Sequence, residues 1–346
     1  MNRILMIGLT ESEGGSQRHI LELRKRIDCD VATSTDTKAT FFSNIRFAIV
    51  VYFWSLSLIF GKKKYDVIHI HENTLYGLAP LLCWRYKTVI TIHGMRGFKF
   101  YDNKLFWFFF KNSLRFADKI IAVNKEDEAI LNYEFYGKLY DKYYILNGGE
   151  EPSKITYIPN GVDTSIYKRI NPKVEKKIVF IGRINPQKGI IYLLKAYSKI
   201  FTDYKLEIIG DINSHYARTL QSEFYEEGER IIWRGSIKDR KEIVRSLKSA
   251  YMIVLPSLWE GLPLTLFESL ASERPVIVSD IPAFKSVIND EALFFKNKNP
   301  KDLRLKIYKL LLNKNMANSL GKKGKELAKQ YDWDIIAKQT MEVYNG

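Results

Sequence analysis

The chain opens on an apolar run, "RILMIGL", breaks at a polar glycine turn, "TESEGGSQ", and resumes with helical spacing in "RHILELRKRI". The same order returns at residue 178 as "IVFIGR", "INPQKG" and "IIYLLKAYSKI". Further short apolar runs, "YDVIHIH", "TVITIHG", "KIIAVN", "KLEIIG", "RIIWRG", "YMIVLPS" and "PVIVSD", read as strands. Such runs alternating with helical stretches predict parallel sheets built from βαβ units. Two series, each opening strand–glycine–helix, predict two doubly wound domains. Residues 157–177, "YIPNGVDTSIYKRINPKVEKK", read as the linker, because a Pro-Asn-Gly turn is followed by charge. The predicted domains are 1–165 and 166–332, with the final helix, 333–346, crossing back to the first. In open α/β sheets ligands bind at the carboxyl ends of the strands, so two facing domains place the site in the cleft between them.

Length and composition refine this picture without changing it. A chain of 346 residues exceeds what one hydrophobic core usually serves. Apolar residues are 46% and charged residues 27%, an ordinary globular mix. Cys29 and Cys83 fit no metal or disulfide spacing and no signal peptide is evident, so a cytoplasmic setting is expected. The net charge of +15 suits nucleic acid, anionic lipid or phosphorylated small molecules. With lysines spread along the chain and no zinc-finger or RNA-recognition signature, nucleic acid is the least favoured of these.

Two segments suit a membrane surface. The apolar part of "RFAIVVYFWSLSLIFGKKKYD", Phe47 to Phe60, is 14 residues, short of the ~20 that cross a bilayer. It reads either as a helix buried against a sheet or as an interfacial helix whose Lys62, Lys63 and Lys64 meet anionic head groups. "NKLFWFFFKNSLRFADK", residues 103–119, offers the same choice.

The chemistry concentrates in two stretches. In "IGRINPQKG", Arg183 directly follows a strand and Lys188 precedes a helix, so both cations are aimed at the carboxyl edge, where a diphosphate could lie. Two solvated surface cations are the alternative reading. In "IVLPSLWEGLPLTLFESLAS", a strand, a loop and a helix follow one another, with Pro263 near the first helical turn. The free N–H groups around Leu264 and Thr265 would suit phosphate. Glu260 precedes that helix and Glu268 lies about one and a half turns inside it. They need not act as one pair: one can reach a sugar's hydroxyls and the other a ribose. His69 and His71 share a strand face without an evident third ligand, so no metal is expected. Asp332 in "DWD" reads as a helix N-cap and Trp333 as packing. Neither glycine turn is G-x-G-x-x-G, which disfavours nicotinamide chemistry.

At this point the chain resembles a known family. "EGLPLTLFE" is similar to the E-x7-E signature of family 4 retaining glycosyltransferases, whose GT-B fold has two facing Rossmann-like domains. The resemblance extends through "GGSQRHILEL", "DVIHIH", "TIHG", "IPNGVD", "GRINPQKG", "IIGD" and "YDWDIIAKQTMEVY". It implies that Arg183 and Lys188 bind the donor's diphosphate, that Glu260 contacts the transferred sugar, and that Glu268 takes the ribose. Gly261, Leu264 and Thr265 would complete the phosphate site, and the base would rest near Trp233, Arg234 and Gly235. His93 would face the reaction centre, Gly14, Gly15 and Ser16 the diphosphate and acceptor, and Asn160 the acceptor. The implied activity is metal-independent transfer, with retention, from a UDP- or GDP-sugar rather than an ADP-sugar. No cofactor is called for. The acceptor would be a glycan or lipid-linked glycan in cell-surface polysaccharide or glycoconjugate assembly; a place at the inner face of the plasma membrane is expected from the net charge and the two aromatic segments, not from the resemblance. A GT-B sugar-nucleotide epimerase and a non-catalytic basic protein binding membrane or nucleic acid are the alternatives.

Overall fold

A computed structural model describes residues 2–8, 15–32, 56, 58–71, 73–95, 104–133 and 154–346. The chain divides into two compact units: Met1–Asn160 with Trp333–Gly346, and Gly161–Asp332. Among the described residues each unit holds one six-stranded sheet, and every pairing is parallel.

In the first unit the strands are β1 (Ile4–Ile7), β2 (Cys29–Ala32), β3 (Val67–Ile70), β4 (Lys87–Ile92), β5 (Lys119–Ala122) and β6 (Ile155–Tyr157), in the order β2-β1-β3-β4-β5-β6. In the second they are β7 (Lys177–Ile181), β8 (Lys205–Ile209), β9 (Ile231–Gly235), β10 (Met252–Leu255), β11 (Val276–Ser279) and β12 (Leu293–Phe295), in the order β12-β11-β10-β7-β8-β9. Each chain segment starts mid-sheet, winds outward, then returns to the other side of its first strand. The reversal falls between β1 and β3 in one unit and between β7 and β10 in the other. Loops diverge there at the carboxyl ends, leaving the crevice where α/β folds hold ligands.

The second sheet is covered on both faces, and period-two alternation assigns its residues. Val179, Ile181, Ile253, Leu255, Val276 and Val278 enter one core, while Ile178, Phe180, Met252, Val254 and Ile277 enter the other. Each buried aliphatic side chain contributes about 1.5–3 kcal/mol, so the sheet is a rigid base for the loops above it.

Two glycines let those loops approach closely. Gly189 has φ +60°, and a Cβ there would lie 1.9 Å from the Pro256 carbonyl oxygen. A Cβ on Gly210 would lie 2.2 Å from the Gly182 oxygen. Only a residue without a side chain fits either place.

The last helix, Trp333–Asn345, belongs to the first unit. Trp333, Ile336, Ala337, Thr340, Val343 and Tyr344 form its buried stripe at helical spacing. One expectation needs adjustment. The stretch read as linker contains a helix, Thr164–Arg169, whose N-cap Asp163 accepts from Ser165 N at 3.0 Å. Six residues are too short for periodicity to reveal it. Pro263 lies next to the first turn of the helix Leu264–Ala271, as its N-cap, with extended ψ of 135°.

Candidate functional site

In the second unit the reversal between β7 and β10 brings two loops together. The loop after β7 carries Asn185, whose side chain accepts from Lys188 N at 3.1 Å and folds residues 186–188 into a short 3-10 turn. That turn directs Lys188 inward. Its Nζ donates to Glu260 Oε1 at 2.5 Å, and both side chains are buried. Ser257 Oγ donates to the same oxygen at 2.7 Å, while Gln187 Nε2 reaches Oε2 at 3.4 Å and the Trp259 carbonyl at 3.1 Å. Ser279 Oγ in turn donates to the Ser257 carbonyl at 2.5 Å. Glu260 is thus held from both sides by loops rooted in the sheet.

The helix Leu264–Ala271 begins three residues after Gly261, and no side chain caps it. Its first amide groups carry the unsatisfied N–H donors and the positive end of the helix dipole, a setting that favours an anion. Glu268 lies inside this helix, 2% exposed, in an ion pair with Arg240 at the start of the helix Arg240–Ser249.

The remaining predicted donor residues distribute as follows. Arg183 follows β7 but is exposed and, among the described residues, pairs with no carboxylate. Leu264 is buried, and Gly261 and Thr265 are half-buried. Arg234, near the carboxyl end of β9, is exposed and donates to Glu242 Oε1 at 3.0 Å. Trp233 and Gly235 lie in the same strand. The structure therefore joins Lys188 to Glu260 and leaves Arg183 in solvent.

In the first unit, four histidines gather at the carboxyl ends of β3 and β4. His69 in β3 pairs through Nδ1 with Tyr344 OH at 2.5 Å and through Nε2 with Thr91 Oγ1 at 2.6 Å. His71 lies just past β3, its ring centroid 3.9 Å from that of His69. Its Nδ1 is 3.4 Å from Nε2 of His93, which follows β4. His19, on the helix Gly15–Arg24, lies edge-on to His93 at 5.0 Å and to Trp333 at 5.1 Å. Its Nδ1 donates to Asn160 Oδ1 at 2.9 Å.

Burial holds all four rings in the neutral form. His19 is lowered to about 4, chiefly by loss of water, with the Asn160 bond opposing the shift. His69, His71 and His93 fall well below the usual histidine value, through burial first and then through one another's charge. His93 is therefore available as a neutral hydrogen-bonding group.

Ser16 is half-buried and Gly15 exposed at the start of the His19 helix, whereas Gly14 lies outside the described residues. Among the described residues, no three His, Cys, Asp or Glu side chains are arranged to hold a metal ion. His69 is surrounded by Tyr344, Thr91 and the His71 ring, and His71 by the rings of His69, His93 and His19.

Sequence reasoning did not single out Gln187, Ser257, Arg240 or His19. Gln187 and Ser257 stand beside residues that were singled out, so proximity was an available signal. His19 lies inside a motif already noted. Arg240 gave no local signal, since its partner is 28 positions away.

Of the aromatic segments, residues 46–55, 57 and 103 fall outside the described residues, as do the side chains of 104–109. Within the rest, Phe60 is 83% exposed and Phe116 is also exposed; outside both segments, Trp84 is 66% exposed. Lys62, Lys63 and Lys64 are exposed beside Phe60, and Arg85 donates to the Gly61 carbonyl at 2.5 Å. Among the described residues no helix is long and apolar enough to cross a membrane.

Comparison with known proteins matches both units. A family model described as "Glycosyl transferases group 1" matches residues 163–327, and one described as "Glycosyltransferase Family 4" matches residues 14–133. The UDP-Gal:alpha-D-GlcNAc-diphosphoundecaprenol alpha-1,3-galactosyltransferase of Escherichia coli is 25% identical over 68% of this chain and 63% of its own. The N,N'-diacetylbacillosaminyl-diphospho-undecaprenol alpha-1,3-N-acetylgalactosaminyltransferase of Campylobacter jejuni is 25% identical over 86% of this chain and 82% of its own. Among solved structures, sucrose-phosphate synthase from Thermosynechococcus elongatus superposes with a TM-score of 0.78 at 19% identity, covering 100% of this chain and 98% of that one. Anabaena HepE in complex with UDP-glucose does so with a TM-score of 0.78 at 14% identity, covering 100% of both.

Proposed function

Because the chain belongs to the family 4 glycosyltransferases and has their GT-B fold, we propose that it moves a sugar from a UDP- or GDP-linked donor to a lipid-linked glycan, with retention and without a metal. The observation that carries this reading is the Lys188–Glu260 pair at the reversal of the second sheet, beside an uncapped helix start. An ammonium has three donors. One holds Glu260, and the others would meet diphosphate oxygens. Glu260 has acceptor capacity beyond Lys188, Ser257 and Gln187, because a carboxylate offers about four lone-pair sites. That capacity would take hydroxyls of the transferred sugar.

The chemical step is the departure of the diphosphate with an oxocarbenium-like sugar left behind. Charge grows on the leaving phosphate, where Lys188, Arg183 and the amides of Leu264 and Thr265 would stabilise it. Fixed donors aimed at developing charge are commonly the largest catalytic contribution, about 3–4 kcal/mol for one donor. The departing phosphate would accept the acceptor's proton, so no carboxylate need act as nucleophile. Glu260, already holding Lys188, suits a hydroxyl ligand better than an attacking group. Glu268 would take the ribose, and the backbone near Trp233, Arg234 and Gly235 the base. Neutral His93 would bond the donor sugar, with Gly14 and Gly15 near the diphosphate and Ser16 and Asn160 on the acceptor side.

The named relatives support the substrate classes. Both are named for α-1,3 transfer to diphosphoundecaprenol-linked sugars. The solved neighbour holds UDP-glucose. A lipid-linked acceptor calls for attachment at the cytoplasmic face of the membrane, and exposed Phe60 next to Lys62, Lys63 and Lys64, with exposed Trp84 next to Arg85, whose guanidinium reaches the Gly61 carbonyl, supports it. Salt-sensitive flotation with anionic but not neutral liposomes is expected; equal flotation with both, or none, would remove the membrane part.

The direct test of donor use is slow hydrolysis across UDP-, GDP- and ADP-sugars with excess chelator present. Turnover of a UDP- or GDP-sugar, unaffected by the chelator, is expected. Indifference to every donor would overturn the enzyme reading.

A further inference from the structure

Glu268 and Arg240 form an ion pair outside the Lys188–Glu260 cluster. We propose that Arg240 is a positioning residue: it keeps the Glu268 carboxylate charged and turned so that it accepts both ribose hydroxyls, and thereby sets the preference for ribonucleotides over deoxyribonucleotides. This inference rests on the reading of Glu268 as the ribose ligand.

A carboxyl group as buried as Glu268, at 2% exposure, favours the neutral acid unless a cation or several donors compensate. The neutral acid carries a proton of its own and loses acceptor capacity. A ribose diol offers two donors, so the carboxylate form recognises it best. Arg240 supplies the compensation through Nη1 to Glu268 Oε1, and a guanidinium does not lose its charge at any working pH.

Its own placement is fixed. Arg240 opens the helix Arg240–Ser249, whose N-cap Asp239 accepts from Lys241 N at 2.9 Å. That helix packs on the one bearing Glu268. Neighbouring Arg234 is directed to Glu242 and Lys188 to Glu260. A planar fork also restricts carboxylate rotation more than an ammonium does.

The test compares the affinities of UDP and GDP, each with its 2′-deoxy and 3′-deoxy form, by calorimetry on the full chain. Wild-type protein should favour the ribo form of the nucleotide it binds by about tenfold or more, the size expected for a hydrogen bond to a charged group. Arg240→Met should bring that ratio close to one, Arg240→Lys should restore part of it, and Arg240→Met in a Glu268→Gln background should change it no further. The double variant also removes both charges together, which guards against a fold lost to one unpaired buried charge. Arg240→Met with the wild-type ratio, or a further loss in the Glu268→Gln background, would overturn the proposal. A wild-type protein that binds ribo and deoxy forms alike would instead overturn the ribose reading beneath it.

Discussion

At Gly189 the backbone turns through φ +60° with the Pro256 carbonyl where a side chain would be. The turn places Lys188 against Glu260, so the glycine's conformation and the site's geometry are one requirement. Gly189→Ala should destabilise the second unit by about 2 kcal/mol or more, combining left-handed strain with displaced backbone, and should weaken nucleotide binding. Thermal melts with a nucleotide titration check both; an unchanged melt would mean that the loop yields at no cost. Single residues were unevenly legible in the sequence. Lys188 and Glu260 stood out as charges in loops that follow a strand, and Glu268 as a charge interrupting an apolar helix. Arg183 stood out equally, yet its side chain lies in solvent. A charge pattern identifies which loop a cation occupies but not which way it turns. Arg240, Ser257 and His19 matter through partners distant in sequence or through packing, which local pattern does not contain.

The histidine group belongs to the scale of elements, since it ties β3, β4, the first helix and the last. Strands here were legible from their apolar runs, but three histidines and Tyr344 meeting beneath one helix depends on register between β3 and β4 and on where the final helix docks. Its consequence is pH dependence. The folded pKa of His19, about 4, lies below the ordinary 6.5. Between these values the unfolded chain holds a proton that the folded chain does not, so stability falls as pH falls through that window. At one pKa unit per 1.36 kcal/mol, His19 alone amounts to about 3 kcal/mol by pH 4; His69, His71 and His93 act in the same direction. The first unit should therefore melt at clearly lower temperature at pH 5 than at pH 7, with His19→Gln flattening the difference. Equal melting at both pH values would show that the rings are charged or solvated in the folded protein.

On the scale of the whole molecule, the chain leaves its first unit at Asn160 and re-enters it at Trp333. The two-unit organisation was legible because strand–glycine–helix occurs twice. The helix Thr164–Arg169 was not, being too short to show a period. Trp333 and Tyr344, among the largest fully buried side chains, make the re-entrant helix part of the first core. A chain ending at Asp332 should lose the first unit's melting transition and solubility while the second unit keeps its own. Calorimetric scans would read this directly, and a first unit that melts as before would mean that the last helix only covers it.

The most direct measurement is the affinity of the full chain for UDP and GDP in wild-type protein and in Lys188→Ala, with the corresponding nucleosides as controls. A diphosphate held by this ammonium and by the opening amides of the Leu264–Ala271 helix predicts tight binding of one diphosphate, little binding of its nucleoside, and a loss of about tenfold or more in the variant. Equal affinity in wild type and variant, or no preference for the diphosphate over the nucleoside, would contradict it.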